Sequence, residues 1–219
     1  MEYSTYCKNF KGRGIPDELE NLLHLRGDLE TLSAELRKAN IAFEFEDSDK
    51  WLTDYLGYQS QIVNSLLGIA TNGAGDLLAF WLYDDRDLKD APIVFVGHGD
   101  ASVIANNFSD LLLLLIACFD LHSEAIPEDL NDETFDRALS DEITLELIED
   151  GTYPPDTMEQ LRKRDEEIEQ GRAKFLSSLG LQPAQKPAAL MRSAIQAHPD
   201  FEAWLEHQIS IEQSHAADI

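Results

Sequence analysis

The sequence predicts an α+β fold: a twisted, mostly antiparallel sheet packed by helices, with a helical C-terminal extension. Three observations predict it. Ile41-Ala42-Phe43-Glu44-Phe45-Glu46 places apolar residues two apart, which is the strand period. Leu77 to Tyr83 and Pro92 to Val96 are near-continuous apolar stretches separated by polar, turn-forming residues, as central strands are. After Pro127 no strand pattern recurs, and helical patterning takes over.

The elements follow in order. Residues 1–16 hold Lys8, Lys11 and Arg13 among two glycines and end at Pro16, a locally basic, loop-like start. A helix is predicted from about Asp17 to Ala39, with Asp17 as its cap and Leu19, Leu22, Leu23, Leu29, Leu32 and Leu36 as its apolar stripe. The strand at 41–46 ends in the turn signal Asp47-Ser48-Asp49. Gln61 to Ile69 reads equally as a buried strand or a short helix. Thr71 to Asp76 is a turn rich in Asn and Gly, which accept positive φ cheaply. Strands follow at Leu77–Tyr83 and Pro92–Val96, then a short apolar piece at Ile104-Ala105 and an apolar helix from Ser109 to Phe119 with Ser109 as its N-cap. Further helices are predicted at about 131–149, 156–179 and 187–212. The second has Asp156 and Glu159 at capping-box spacing and Gly180 just past its end. The change of character near 126 divides the chain into 1–126, an α+β domain, and 127–219, a helical extension.

Charge narrows the function. Forty-two acidic residues oppose 17 basic ones, a formal net charge of −25, and the excess is spread along the chain. Such a surface repels phosphate backbones and anionic headgroups, so neither direct nucleic-acid binding nor membrane binding is expected. It suits a basic protein partner, although acidity also serves solubility alone. Cys7 and Cys118 lie far apart, which fits a reducing, cytoplasmic setting without a disulfide framework. The start Met1-Glu2-Tyr3-Ser4 lacks the basic and apolar regions of a signal peptide, and Leu111–Phe119 is too short to span a membrane.

Reactive constellations are absent from the pattern. Gly73, Gly75 and Asp76 lead into a strand and carry no following Lys-Ser/Thr, so they read as a turn and not as a phosphate loop. The six histidines are scattered, with none at i+3 or i+4 to another, and no metal site is expected. No Gly-x-Ser-x-Gly elbow surrounds a serine, and Asp129 to Glu133 lacks the glycine and final glutamate of a calcium loop. The expectation is a chain with no catalytic residues and no cofactor.

One ordered set of motifs carries a resemblance. Gly68-Ile69-Ala70-Thr71-Asn72-Gly73-Ala74-Gly75-Asp76-Leu77 is followed by Ala91-Pro92-Ile93-Val94-Phe95-Val96, then by Val103-Ile104-Ala105-Asn106-Asn107-Phe108-Ser109-Asp110-Leu111. In this order and spacing, over Leu66 to Leu115, the chain resembles the SUKH superfamily, which includes the Smi/Knr cell-wall regulators of fungi and many bacterial immunity proteins. The family's N-terminal Leu-Pro and Asn-Gly-Gly features are not matched, and the last 90 or so residues have no counterpart. The resemblance implies a non-enzymatic scaffold with a partner-binding face. It implies an immunity protein that covers the basic active-site face of a cognate toxin domain. The alternative is an intracellular regulatory or scaffold protein of the same fold.

Two acidic patches are the candidate partner-binding residues. Asp84, Asp85 and Asp87 share one loop with Asp90, beside Trp81 and Tyr83, and offer charge for steering with aromatic anchors for affinity, Trp81 among the partner-binding residues. Glu44, Glu46 and Asp47 form the second. The competing account is a solvated hairpin loop beside a core Trp81.

Overall fold

A computed structural model describes residues 7–24, 41–43, 47–54, 57, 60–72, 75–84, 86–97, 101–116, 145–182 and 187–217. The fold is α+β. Among the described residues, helices α1 (Asp17–His24), α2 (Ser48–Asp54) and α3 (Ser60–Ser65) surround and follow β1 (Ile41–Ala42). Strands β2 (Leu66–Asn72), β3 (Leu77–Trp81), β4 (Ile93–Val96) and β5 (Ala101–Ala105) come next. Helices α4 (Phe108–Ile116), α5 (Thr157–Ser178), α6 (Pro187–Ala197) and α7 (Phe201–Ala217) complete the order. The described strands form one antiparallel sheet in the order β1-β2-β3-β4-β5, each beside its sequence neighbour.

The ambiguous stretch 61–69 is both of its alternatives. α3 ends at Ser65 and β2 begins at Leu66, so one apolar run changes period in mid-course. Leu66 pairs with Trp81 and Leu67 with Phe80, and the register slips between Gly68 and Ala70. Phe80 faces Ile93 and Leu78 faces Phe95 across β3 and β4. Every residue of β3 and β4 is buried, which is unusual for an antiparallel sheet with one wet face. The reason is that both faces are covered.

Neighbouring strand residues point to opposite faces. Phe80 meets Phe10 edge-on at 6.1 Å and Phe108 at 6.2 Å, so one face packs against the N-terminal segment and α4. Trp81 meets Phe201 at 4.9 Å and Trp204 at 5.3 Å, so the other face packs against α7. α6 packs against β5 and touches α4. Leu179, Met191, Ala194, Phe201 and Leu205 belong to the same buried cluster as the strands. Full burial of such side chains stabilises by roughly 1.5–3 kcal/mol each before chain entropy is counted. The division expected at 126/127 lies outside the described residues, but the C-terminal helices form a layer of the sheet's own core.

Helix ends differ in detail from the sequence expectation. Gly180 takes φ +71° and Leu181 N–H donates to the Leu176 carbonyl at 2.8 Å, the left-handed stop expected after α5. At the start of α5 the expected Asp156 cap does not form; its carboxylate accepts from the Gln160 side chain instead. α4 is capped by Asn107, whose Oδ1 accepts from Asp110 N–H at 2.9 Å, and not by Ser109. Ser109 donates to Glu18 at 2.8 Å and ties α4 to α1. The single helix expected at 187–212 is two. Pro199 has no N–H to continue α6, and Asp200 Oδ1 caps α7 by accepting from Ala203 N–H at 3.0 Å. The helix expected to Ala39, the strand expected beyond Phe43, Gly73 with Ala74, Cys118 and the calcium-like 129–133 extend into or lie outside the described residues.

Candidate partner-binding site

The loop joining β3 to β4 carries the first acidic patch. The strands close on it through Trp81 N–H, which donates to the Pro92 carbonyl at 2.9 Å. Within the loop, Leu88–Asp90 form one 3-10 turn, and the Leu88 side chain is buried beneath it. That apolar pin fixes the loop to the core and turns its polar residues outward. Asp84, Asp87 and Asp90 are exposed, while Asp85 lies outside the described residues.

A network centred on Arg86 organises this loop. The guanidinium donates to both carboxylate oxygens of Asp84, to the Asp90 carbonyl at 3.2 Å and to the Tyr83 hydroxyl at 2.6 Å. It also lies 4.5 Å from the Tyr83 ring centroid, a cation–π distance. The Arg86 hydrogen bond holds the Asp84 carboxyl below the usual aspartate range, and Asp84 in turn raises Arg86 above its ordinary value. Water screens this exposed pair, so its role is to set loop shape more than to stabilise the fold. The charge of Asp84 is met internally. Asp87 makes no capping bond to the turn it precedes. Among the described residues Asp90 has exposed Lys89 at 4.0 Å as its ion-pair partner.

The network reaches across the chain. Tyr83 Oη lies 3.1 Å from Nδ1 of His198, in the turn between α6 and α7. Burial and the nearby Arg86 charge push the His198 pKa down, against a smaller upward pull from Asp84. Neutral imidazole therefore meets the tyrosine. Asp200, two residues further on, is exposed and caps α7. The arrangement couples an acidic loop to a helical turn, and each hydrogen bond in it serves to hold position.

The second acidic patch falls partly within the described residues. Asp47 is exposed and caps α2, its Oδ1 accepting from Lys50 N–H at 2.9 Å. Asp49 beside it pairs with Lys11 at 3.0 Å, whose ammonium also donates to the Val63 carbonyl. Glu44 and Glu46 lie outside the described residues. The expectation that Trp81 anchors a partner is corrected: its side chain is fully buried among Tyr83, Phe201 and Trp204. On the second face of the sheet, Trp81 packs against Phe201 and Trp204 of α7.

Sequence reasoning found the loop acids but missed Arg86, Tyr83 and His198 as their organisers. Pro199 after His198 was the one local signal, since it marks a helix break that leaves the histidine at a turn. Among the described residues no group of three or more His, Cys, Asp or Glu side chains is placed to hold a metal ion. Among the same residues no helix is long and apolar enough to cross a membrane. No family model, curated protein or solved structure matches the chain.

Proposed function

We propose that this protein binds a basic protein partner without catalysing a reaction, and that the β3–β4 loop is part of the contact surface. The observation that carries the proposal is the tethered acidic loop. Exposed Asp87 and Asp90 sit on a backbone pinned by Leu88 and by the Arg86–Tyr83–His198 network. A loop ordered before encounter loses less entropy on binding than a free one. The chain's net charge of −25 adds long-range attraction for a cationic surface and excludes anionic ones. Taken with the SUKH resemblance of residues 66–115, the partner class proposed is a toxin domain whose basic active-site face is covered, which makes this an immunity protein.

The test is calorimetric titration of the purified protein with the basic product of the adjacent gene. Tight binding is expected to weaken as salt rises from about 0.05 M to about 0.3 M, because the Debye length shortens over that range. The double variant Asp87→Asn, Asp90→Asn is expected to weaken it further, chiefly through slower association. Affinity indifferent to both salt and the double variant would remove the loop from the interface. An absence of binding would remove the toxin-neutralising reading.

A further inference from the structure

One hydrogen bond between residues 115 apart in sequence joins the acidic loop to the α6–α7 turn: Tyr83 Oη to His198 Nδ1 at 3.1 Å. We propose that this bond is a pH-sensitive latch, in which neutral His198 holds the Tyr83–Asp90 loop against the turn and protonation of the imidazole releases it.

The donor arrangement dictates the sign. Arg86 donates to the Tyr83 hydroxyl at 2.6 Å, and arginine can only donate. The hydroxyl hydrogen is then available to His198, and in the latch Nδ1 accepts it, with the imidazole proton on Nε2. Protonation adds a hydrogen at Nδ1. Two cationic donors then converge on one hydroxyl oxygen, and the hydroxyl hydrogen loses its acceptor. Nε2 is buried and has no hydrogen-bond partner among the described residues, so the added charge gains nothing from them on that side.

The surrounding charges keep the same sign. From the loop, Tyr83, Asp84 and Arg86 face the imidazole, and Arg86 opposes its protonation. Asp84 favours protonation, but it is exposed and both of its oxygens are engaged by Arg86. On the histidine's own turn, Asp200 is exposed and its Oδ1 is occupied by the Ala203 amide. Burial and Arg86 together hold His198 below its ordinary 6.5, so the latch is closed at neutrality and opens in acid.

The experiment needs no partner and so stands apart from the proposed function. Amide hydrogen-exchange protection factors of the loop are compared above and below the histidine transition, in the unmutated protein and in His198→Gln. In the unmutated protein, protection is expected to fall about fivefold on acidification, the factor that one net hydrogen bond represents. In His198→Gln the side-chain amide oxygen accepts from Tyr83 at any pH, and protection is expected to hold. An equal response in both proteins, or no response in either, overturns the latch. Nitrogen NMR of the unmutated protein gives a second reading. The expected result is the Nε2–H tautomer at neutrality and a common midpoint below 6.5 for His198 and the Tyr83 ring. An Nδ1–H tautomer, or separate midpoints, overturns it as well.

Discussion

On one face of the sheet Phe80 meets Phe10 and Phe108 ring against ring. On the other, Trp81 meets Phe201 and Trp204, and two residues along the chain that aromatic stack ends in Tyr83, which meets Arg86 and His198. The two faces are built from adjacent residues of one strand, yet they do different things. The first is a sealed core whose energy comes from close packing. The second grades from core into a polar rim that positions a surface loop. Buried polar groups occur on both: among the described residues Trp81 Nε1 and His198 Nε2 are enclosed without a hydrogen-bond partner, while beside Phe10 the Asn9 Oδ1 accepts from the buried Ser48 N–H at 3.1 Å.

Substitutions sharpen that contrast, and the largest effect belongs to the sealed face. Phe80→Ala removes a fully buried ring touching two others, and chemical denaturation should show a loss of about 3–5 kcal/mol. Gly97→Ala tests packing density beside Phe95. An added Cβ falls 2.6 Å from Phe95 Cε1 and 2.8 Å from Asp76 Oδ1. Its expected cost is about 1–3 kcal/mol, as for other overpacked sites, read from the same denaturation midpoints. If it proves neutral, this corner of the sheet is looser than the aromatic face beside it.

Smaller effects are expected at the graded face. Trp81→Phe keeps an aromatic ring and deletes an N–H that has no partner among the described residues, so its cost should be about 1–2 kcal/mol and below that of Phe80→Ala. A cost equal to that of Phe80→Ala would mean the two faces are energetically alike. Tyr83→Phe removes the hydroxyl between Arg86 and His198 and should cost about 1 kcal/mol near neutral pH. The weakest effect is the pH dependence of stability. The unfolded His198 titrates at its ordinary 6.5 and the folded one lower, so the unfolded state takes up the proton first. The His198 contribution should be constant above 6.5 and decline as pH falls from there toward the folded value. Paired urea titrations of the protein and His198→Gln isolate it by difference.

Much of the sheet was legible in the sequence because its cause is local. Leu77–Trp81 and Ile93–Val96 announce themselves by continuous apolar residues, and Gly180 ends α5 because only a residue tolerant of positive φ fits there. The errors share a different cause. Ser109 and Asn107 both suit a helix start, and the choice fell to Asn107 because Glu18, distant in sequence, engages the serine. Asp156 and Glu159 have capping-box spacing, but Gln160 competes for the aspartate. Trp81 beside four aspartates left a surface anchor and a core residue both open in the sequence, and the approach of α7 makes it core. His198 looked isolated for the same reason: its partner is Tyr83, far away along the chain.

The sequence by itself determined the strands at 77–81 and 93–96, the sign of the surface and the presence of an acidic loop, since side-chain chemistry and nearest-neighbour spacing suffice for these. Only the tertiary structure decided that the C-terminal helices form the sheet's second layer, that Trp81 is interior, and that Tyr83, Arg86 and His198 meet. Those outcomes depend on which distant segments share a surface. Burial and hydrogen-bond geometry are properties of that encounter, and no single stretch of chain encodes them.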